Sequence, residues 1–251
     1  METGHIHTTI DKGIATLSFF HPASNSLPSV LLTQMTAEFK RLDTLAEVRV
    51  VVLKSEGNRA FCAGASFDEL LAVTTPEEGD LFFMGFANLI NAMRLCSKVI
   101  VGAIQGKAVG GGVGLLSACD YCIATEAASV KLSELFIGIG AFVIEPAVTR
   151  KIGKAAFCHL TLEASEWHDA SWALSHGLYA KTVKDQDALV EAVASMASQL
   201  ASYHPNALLE MKKVFWEGTE AWDTLLPKRA AISGALVLSD FTKEILSKWK
   251  K

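Results

Sequence analysis

Three consecutive glycines, residues 110–112, stand between an apolar run typical of a buried strand and an apolar run typical of a helix. Glycine has no side chain, so backbone N–H groups at such a junction stay uncovered. The first N–H groups of a helix have no partner within the helix and lie at the positive end of its dipole. A small anionic group can be held there by main chain alone. Residues 104–120 therefore predict one half of an oxyanion hole.

A second segment supplies the other half. Residues 50–53 form another apolar strand pattern, followed by a polar turn and then by the small residues Ala63, Gly64 and Ala65. Small residues let a ligand approach the backbone closely. Two such segments after two buried strands predict paired N–H donors directed at one carbonyl oxygen.

Glu134 is the residue best placed by sequence to move a proton. It follows a predicted strand and is surrounded by apolar residues. Removal from water would raise the pKa of its carboxyl group towards the working range of a general base. Beside an oxyanion hole, such a base can take the proton α to a carbonyl group, because the hole stabilises the resulting enolate. The alternative is a helix-terminal glutamate or a salt-bridge partner.

With these residues in place, the chain resembles the crotonase family, the enoyl-CoA hydratase/isomerase superfamily. The matching stretches are residues 25–27, 60–65, 106–112 followed by Cys119-Asp120, 132–138 and 151–155. The resemblance implies an α/β fold, a crotonase-like spiral of repeated ββα units with a C-terminal α-helical region. It also implies an acyl-CoA thioester substrate, oxyanion donors at the N–H groups of Ala65 and Gly111, and a catalytic role for Glu134.

The sequence departs from the hydratase pattern at one position. A typical hydratase of the family has a second glutamate two residues after the glycine triplet, where this chain has Gly114. Hydratases use two carboxylates to position and activate water. The family's Δ3,Δ2-enoyl-CoA isomerases work with a single glutamate at the position of Glu134, which moves a proton from C2 to C4 through a dienolate. The pattern therefore favours isomerisation.

Three alternatives stay open at this stage. A hydratase or dehydratase could use a compensating acid such as Glu145, whose other interpretation is a helix-start glutamate before a proline. A non-catalytic acyl-CoA-binding protein could have kept the fold after losing one carboxylate. A decarboxylase acting on an acidic acyl-CoA is a weaker option.

The resemblance also places the coenzyme A part of the substrate; no separate cofactor is expected. Backbone around Ala23, Ala63 and Ala65 would hold the pantetheine and adenine parts, and Phe241 and Lys243 would lie on a helix that covers the nucleotide. Those last two could equally be ordinary residues of an amphipathic helix. The acyl group would contact a set of apolar side chains, namely Leu70, Phe82, Phe83, Phe86, Leu135, Phe142 and Ile144.

Composition argues against several other classes. A net charge of −4 gives no reason to expect nucleic-acid binding, and no apolar run approaches the length of a membrane helix. No signal peptide is visible, and five cysteines fit a reducing cytoplasm. The resemblance implies a homotrimer or a dimer of trimers. We expect no metal site, because His159, His168 and His176 lack the i, i+4 spacing of a helical histidine pair.

Apolar periodicity predicts the elements that carry these residues. Strands are expected at 14–20, 48–53 and 99–104 and near 121–124 and 129–131; helices are expected from 28, at 81–96, 188–200, 208–216 and 219–249, with a polar loop at 74–80. We divide the chain into a crotonase-like spiral core, residues 1–195, and a helical region, residues 196–251. The helical region is expected to take part in trimerisation and to cover the CoA site.

Overall fold

The computed structural model describes residues 4–248, which form two β-sheets surrounded by helices. The strands are β1 (His5–Asp11), β2 (Ile14–Phe20), β3 (Val50–Ser55), β4 (Ala60–Cys62), β5 (Val99–Ile104), β6 (Lys107–Val109), β7 (Tyr121–Thr125), β8 (Ser129–Lys131), β9 (His168–Asp169) and β10 (Lys181–Val183). The helices are α1 (Ser29–Thr44), α2 (Phe67–Ala72), α3 (Pro76–Leu95), α4 (Gly111–Ser117), α5 (Glu145–Leu162), α6 (Ala170–Ser175), α7 (Gln186–Ser202), α8 (Pro205–Phe215), α9 (Trp222–Val237) and α10 (Asp240–Ser247).

The chain visits the two sheets alternately. The larger sheet has the order β1-β2-β3-β5-β7-β10 and the smaller one the order β4-β6-β8-β9. The successive pairs β3 and β4, β5 and β6, and β7 and β8 each add one strand to each sheet, so the backbone advances as a spiral. Strands β2, β3, β5, β7 and β10 run parallel, as do β4, β6 and β8. This confirms the predicted α/β spiral.

The central strands are apolar because both of their faces are covered. Every residue of β5 is buried, and β3 is buried except for Lys54. One face packs on the main core, which includes α1 and α3, and the other on a smaller cluster contributed by α7. Continuous apolar runs of this kind are expected in parallel sheets covered on both sides.

The beginning of α3 differs from the sequence prediction. Residues 74–80 were expected to form a polar loop, but the helix already starts at Pro76. Thr75 accepts a hydrogen bond from the Glu78 N–H, and the Glu78 carboxylate accepts one from the Thr75 N–H. This reciprocal capping box, with proline in the first turn, stabilises a helix start whose residues are polar because they face water.

The C-terminal helices pack on the rest of the same chain. Helix α7 covers the larger sheet and contains the predicted boundary at residue 195. Helices α3 and α9 cross where Gly79 meets Gly234, since a Cβ on Gly79 would lie 2.8 Å from the Gly234 Cα. The predicted helix over 219–249 is interrupted, because Ser239 caps a new helix, α10; residue 249 lies outside the described residues. A role in trimerisation stays a prediction.

A buried ion pair holds α8 against the core. The Lys212 Nζ lies 2.6 Å from Asp120 Oδ2, and both side chains are 3% exposed. Asp120 also accepts hydrogen bonds from the Trp216 indole and from the Ile100 N–H. Three groups therefore compensate the carboxylate, two from α8 and its C-terminal end and one from β5, as a buried charge requires. Within residues 4–248, no helix is both long enough and apolar enough to cross a membrane.

Candidate active site

Three segments of the predicted site follow three neighbouring parallel strands. Ala63 to Ala65 come directly after β4, Gly110 and Gly111 after β6, and Glu134 shortly after β8. These strands are adjacent in the smaller sheet, in the order β4-β6-β8. Because the carboxyl ends of parallel strands meet at one edge of a sheet, residues far apart in sequence converge there. The fold thus gathers both glycine-rich segments and the carboxylate.

Each glycine of the triplet packs against a different neighbour that leaves little room for a side chain. A Cβ on Gly110 would lie 2.8 Å from Glu134 Oε1, and its φ of +53° disfavours other residues. On Gly111, a Cβ would collide with the Phe86 ring, and on Gly112 it would collide with the Cys62 carbonyl oxygen. The triplet therefore serves close packing as well as access to the backbone.

The two N–H groups expected to form the oxyanion hole lie in adjoining segments. A Cβ on Gly64 would be 2.9 Å from the Val109 carbonyl oxygen and 3.4 Å from the Gly111 nitrogen. Ala65 and Gly111 both line the same cavity. In the described part of the chain, neither N–H donates a hydrogen bond to protein. Both donors are thus available to a ligand in that cavity.

The Glu134 carboxylate is removed from water, although the residue as a whole is half-buried. Its Oε2 atom is inaccessible to solvent and has no hydrogen-bond partner among residues 4–248. Burial raises the pKa of the carboxyl group from 4.5 to about 7, against a smaller lowering by its own backbone N–H. A hydrogen bond of 2.9 Å from the Gly110 N–H to the Lys131 carbonyl oxygen ties the glycine segment to the strand that precedes Glu134.

An apolar side chain fills the space beside Gly114, where the resemblance implies the second carboxylate of a hydratase. A Cβ on Gly114 would collide with the Ile144 Cγ2 and lie 2.7 Å from the Ile144 Cβ. Ile144 is 4% exposed and lines the cavity. Glycine at position 114 therefore lets an apolar side chain occupy the space into which a glutamate would have to extend.

The cavity has a volume of about 280 Å³ and mostly apolar walls. Of the side chains expected around the acyl group, all but Leu135 line it; Leu135 is 42% exposed. Its lining residues are Ala63, Gly64, Ala65, Phe67, Leu70, Phe82, Phe83, Phe86, Val109, Gly110, Gly111, Ser133, Glu134, Ile137, Ile139, Gly140, Ala141, Phe142, Val143, Ile144 and Ser233. Glu134 is the one ionisable carboxyl group in this lining. Ser233 was not among the residues predicted from sequence; it lies on α9, about a hundred residues after Glu134, and lines the cavity.

The structure does not bring Glu145 to the cavity. Its carboxylate lies 2.9 Å from Lys154 Nζ and 3.5 Å from an Arg229 nitrogen, and it accepts a hydrogen bond from the Thr149 hydroxyl. It stands at the first position of α5, directly before Pro146. These contacts fit the helix-start interpretation and link α5 to α9.

The remaining predicted CoA contacts lie at the surface. Ala23 is exposed, in a loop tied to the cavity wall by a 3.2 Å hydrogen bond from the Ala63 N–H to the Ser24 carbonyl oxygen. Phe241 is 61% exposed and contacts the turn at Gly138, and Lys243 is exposed on the same helix. Only Ala63 and Ala65 of the five predicted CoA contacts line the cavity.

A larger groove of about 870 Å³ lies elsewhere, between the larger sheet and α7. It contains none of the predicted site residues.

Cys62, the cysteine nearest the glycine segments, is buried beneath Gly112, and burial raises the pKa of its thiol to about 12. Because the thiol stays protonated, Cys62 is unsuited to act as a nucleophile. The predicted oxyanion donors, Ala65 and Gly111, and the predicted base, Glu134, all line the smaller cavity instead.

Comparison with known proteins agrees with this geometry. The profile of the enoyl-CoA hydratase/isomerase family matches residues 9–241. The chain is 32% identical over 216 residues to a "Probable enoyl-CoA hydratase" of Rhizobium meliloti, a match that covers 84% of this chain and 80% of the relative. It is 29% identical over 212 residues to a "Probable enoyl-CoA hydratase" of Bacillus subtilis, which covers 84% of this chain and 81% of the relative. The crystal structure of an enoyl-CoA hydratase from Bacillus halodurans superposes with a TM-score of 0.89 at 21% identity, covering 97% of this chain and 99% of that one.

Proposed function

The chain belongs to the enoyl-CoA hydratase/isomerase family, and within that family we propose that it is a Δ3,Δ2-enoyl-CoA isomerase that uses Glu134 as its single catalytic carboxylate. One observation carries the proposal: the cavity lining contains one ionisable carboxyl group, and the place of the second is occupied by Ile144 above Gly114. The two relatives named above are called hydratases, so the distinction rests on this cavity.

In the proposed reaction, the thioester oxygen accepts hydrogen bonds from the N–H groups of Ala65 and Gly111. Ionised Glu134 removes a proton from C2, and the C–H electron pair moves into the conjugated dienolate, whose negative charge is held at the thioester oxygen. Protonated Glu134 then returns the proton to C4. The double bond has moved from C3–C4 to C2–C3, no atom is gained or lost, and no water is required.

The electrostatics of the cavity suit this proton transfer. A carboxyl group with a pKa of about 7 is a stronger base than an ordinary glutamate, and near neutral pH it can both accept and return a proton. The apolar walls exclude water that would otherwise compete for the dienolate. The lining also lacks lysine and arginine, so nothing there would hold the second carboxylate of an acidic acyl-CoA, which disfavours decarboxylation.

The direct test follows absorbance while the purified chain is mixed with 3-hexenoyl-CoA. We expect the conjugated 2-enoyl thioester to appear, and Glu134→Gln to lower the rate by about 10²- to 10⁴-fold, the usual contribution of a general base. Glu145→Gln is the matched control, because it removes a carboxylate that lies outside the cavity, and it should retain activity.

Other outcomes would support the alternatives. Water addition to 2-hexenoyl-CoA that depends on Glu145 would establish a compensated hydratase. Acyl-CoA binding without turnover, unchanged by Glu134→Gln, would identify a non-catalytic binding protein. Full activity of Glu134→Gln would refute the proposed mechanism.

We further propose that the CoA portion leaves the cavity between the loop carrying Ala23 and the start of α10. The Ala63 N–H donates a hydrogen bond to the Ser24 carbonyl oxygen, so that loop lies beside the cavity wall. Phe241 contacts Gly138, whose neighbours Ile137, Ile139 and Gly140 line the cavity, so α10 also lies beside it. Lys243 would meet the phosphates. A cytoplasmic location and a trimeric or hexameric assembly remain predictions.

A further inference from the structure

We propose that His159, Glu163 and His168 form a binding site for a divalent transition-metal ion of the Zn²⁺ type. One ligand atom from each residue lies within 4.8 Å of the others. The Glu163 Oε2 is 3.0 Å from the His159 Nε2 and 3.4 Å from the His168 Nε2. The site is separate from the acyl cavity, whose lining includes none of the three.

The spacing fits a metal ion. Zinc binds imidazole nitrogen and carboxylate oxygen at about 2.0–2.2 Å, so ligand atoms of a tetrahedral ion lie roughly 3.4 Å apart. Two histidines and one carboxylate form a common zinc ligand set that leaves a fourth position for water. The His168 and Glu163 atoms already have this separation. The His159 and Glu163 atoms are closer, at 3.0 Å, and a small movement of the half-exposed His159 would bring its ring nitrogen to the distance that the ion requires.

An independent observation concerns His168. Its side chain is 8% exposed, and its Nε2 is buried without a hydrogen-bond partner in the described residues. A buried polar atom without a partner costs on the order of 1–3 kcal/mol. This nitrogen lies 3.4 Å from the Glu163 Oε2 without making a hydrogen bond with it, and a metal ion between them would satisfy both atoms.

The surrounding elements hold the ligands in place. His159 lies in the last turn of α5, Glu163 caps that helix, and His168 opens β9, where it pairs with Val130. The ring of Trp172 packs against His168 with centroids 4.5 Å apart. A bound ion would therefore fasten the end of α5 to the edge of the smaller sheet.

The sequence expectation of no metal site did not consider glutamate as a third ligand beside the histidines. The relevant i, i+4 pair is His159 with Glu163, and the third ligand comes from a strand that is too short to be recognised by its pattern. The residues that could ligate were visible, but their convergence depends on how α5 ends and β9 begins.

The test uses the full chain without an affinity tag, stripped of metal with a chelator and titrated with Zn²⁺ by calorimetry. We expect one ion per chain, and we expect His168→Ala and Glu163→Gln each to weaken binding by at least about tenfold, since even loss of a supporting residue around a metal site costs 10- to 100-fold. His7→Ala, which removes an exposed histidine from β1, is the matched control and should bind like the unmodified protein.

A second readout distinguishes ligation from general surface binding. With Co²⁺ in place of Zn²⁺, a low-symmetry site containing imidazole should give visible absorption that disappears in both variants. Glu163→Gln keeps the experiment informative if His168→Ala fails to fold, because Glu163 is 48% exposed. Equal Zn²⁺ affinity in the unmodified chain and Glu163→Gln, or the absence of any binding, would overturn the proposal.

Discussion

Replacing Glu134 by glutamine should raise stability relative to the unmodified chain as pH rises, while it destroys the proposed activity. The pKa of the carboxyl group is about 7 in the folded chain, against 4.5 for an ordinary glutamate, because burial penalises the charged form. Between these values the folded state holds a proton that the unfolded state has released. Stability contributed by this group is therefore present at low pH and is lost as pH rises towards 7.

The size of this effect follows from the two pKa values. Each pKa unit corresponds to about 1.4 kcal/mol, and most of the change falls between pH 5 and pH 8, which gives about 2.5 kcal/mol over that interval. Glutamine has nearly the same shape and does not ionise. The stability difference between Glu134→Gln and the unmodified chain should therefore shift by about 2.5 kcal/mol in favour of the variant between the two pH values.

Urea unfolding at pH 5 and pH 8 measures this shift. Any cost of burying the glutamine amide that does not depend on pH cancels, because the stability difference between the two proteins at pH 5 is subtracted from that at pH 8. Glu126→Gln, which removes an exposed carboxylate at the end of β7, is the matched control for loss of one charge. A shift below about 1 kcal/mol would show that Glu134 is not held out of water. The same ionisation should make the isomerase kcat/KM rise through pH 7, which offers an independent measurement.

Three further substitutions test the architecture of the site. Gly110→Ala should lower the isomerase rate by about 100-fold or more, because the new Cβ would displace the Glu134 carboxylate, and steady-state kinetics on folded protein will measure the loss. Asp120→Ala should destabilise the chain by about 3–5 kcal/mol in urea unfolding, because it leaves a buried lysine without its partner; a loss under 1 kcal/mol would contradict this account. Gly114→Ala should lower the free energy of unfolding by about 1–3 kcal/mol, because the new Cβ would collide with Ile144. Adding Ile144→Ala to the same chain should relieve that collision. If the destabilisation of the two substitutions is simply additive in a double-mutant cycle, the two residues do not compete for space.

The sequence predicted the parts of the site that depend on local patterns. The strands at 14–20 and 99–104 have the predicted bounds, because alternation of residue types marks the first and a continuous apolar run marks the second. Residue type and apolar setting made Glu134 and the glycine triplet candidates, and the resemblance to a known family gave them roles that stay predictions. Their convergence follows from strand order, which the resemblance to a known family implied and local pattern did not.

Other features depend on contacts that no local pattern contains. The first strand, β1, is largely exposed and carries polar residues, and it exists because a tight turn with positive φ at Lys12 and Gly13 folds it back onto β2. Ser233 reaches the cavity through the crossing of α3 and α9. In both cases the structure depends on a contact between two elements, and the residue types alone do not indicate that contact.

The crossing of Gly79 with Gly234 also has a consequence for biosynthesis. Helix α9 supplies Ser233 to the cavity wall, and α9 and α10 cover the apolar cluster that includes Phe82 and Ile137. Chains are made from the N-terminus, so the spiral can form on the ribosome well before these helices emerge. Until then the acyl cavity is an open apolar surface, exposed to aggregation and to chaperones. A chain truncated before residue 222 would lack Ser233 and the two covering helices, and would stay permanently in that condition.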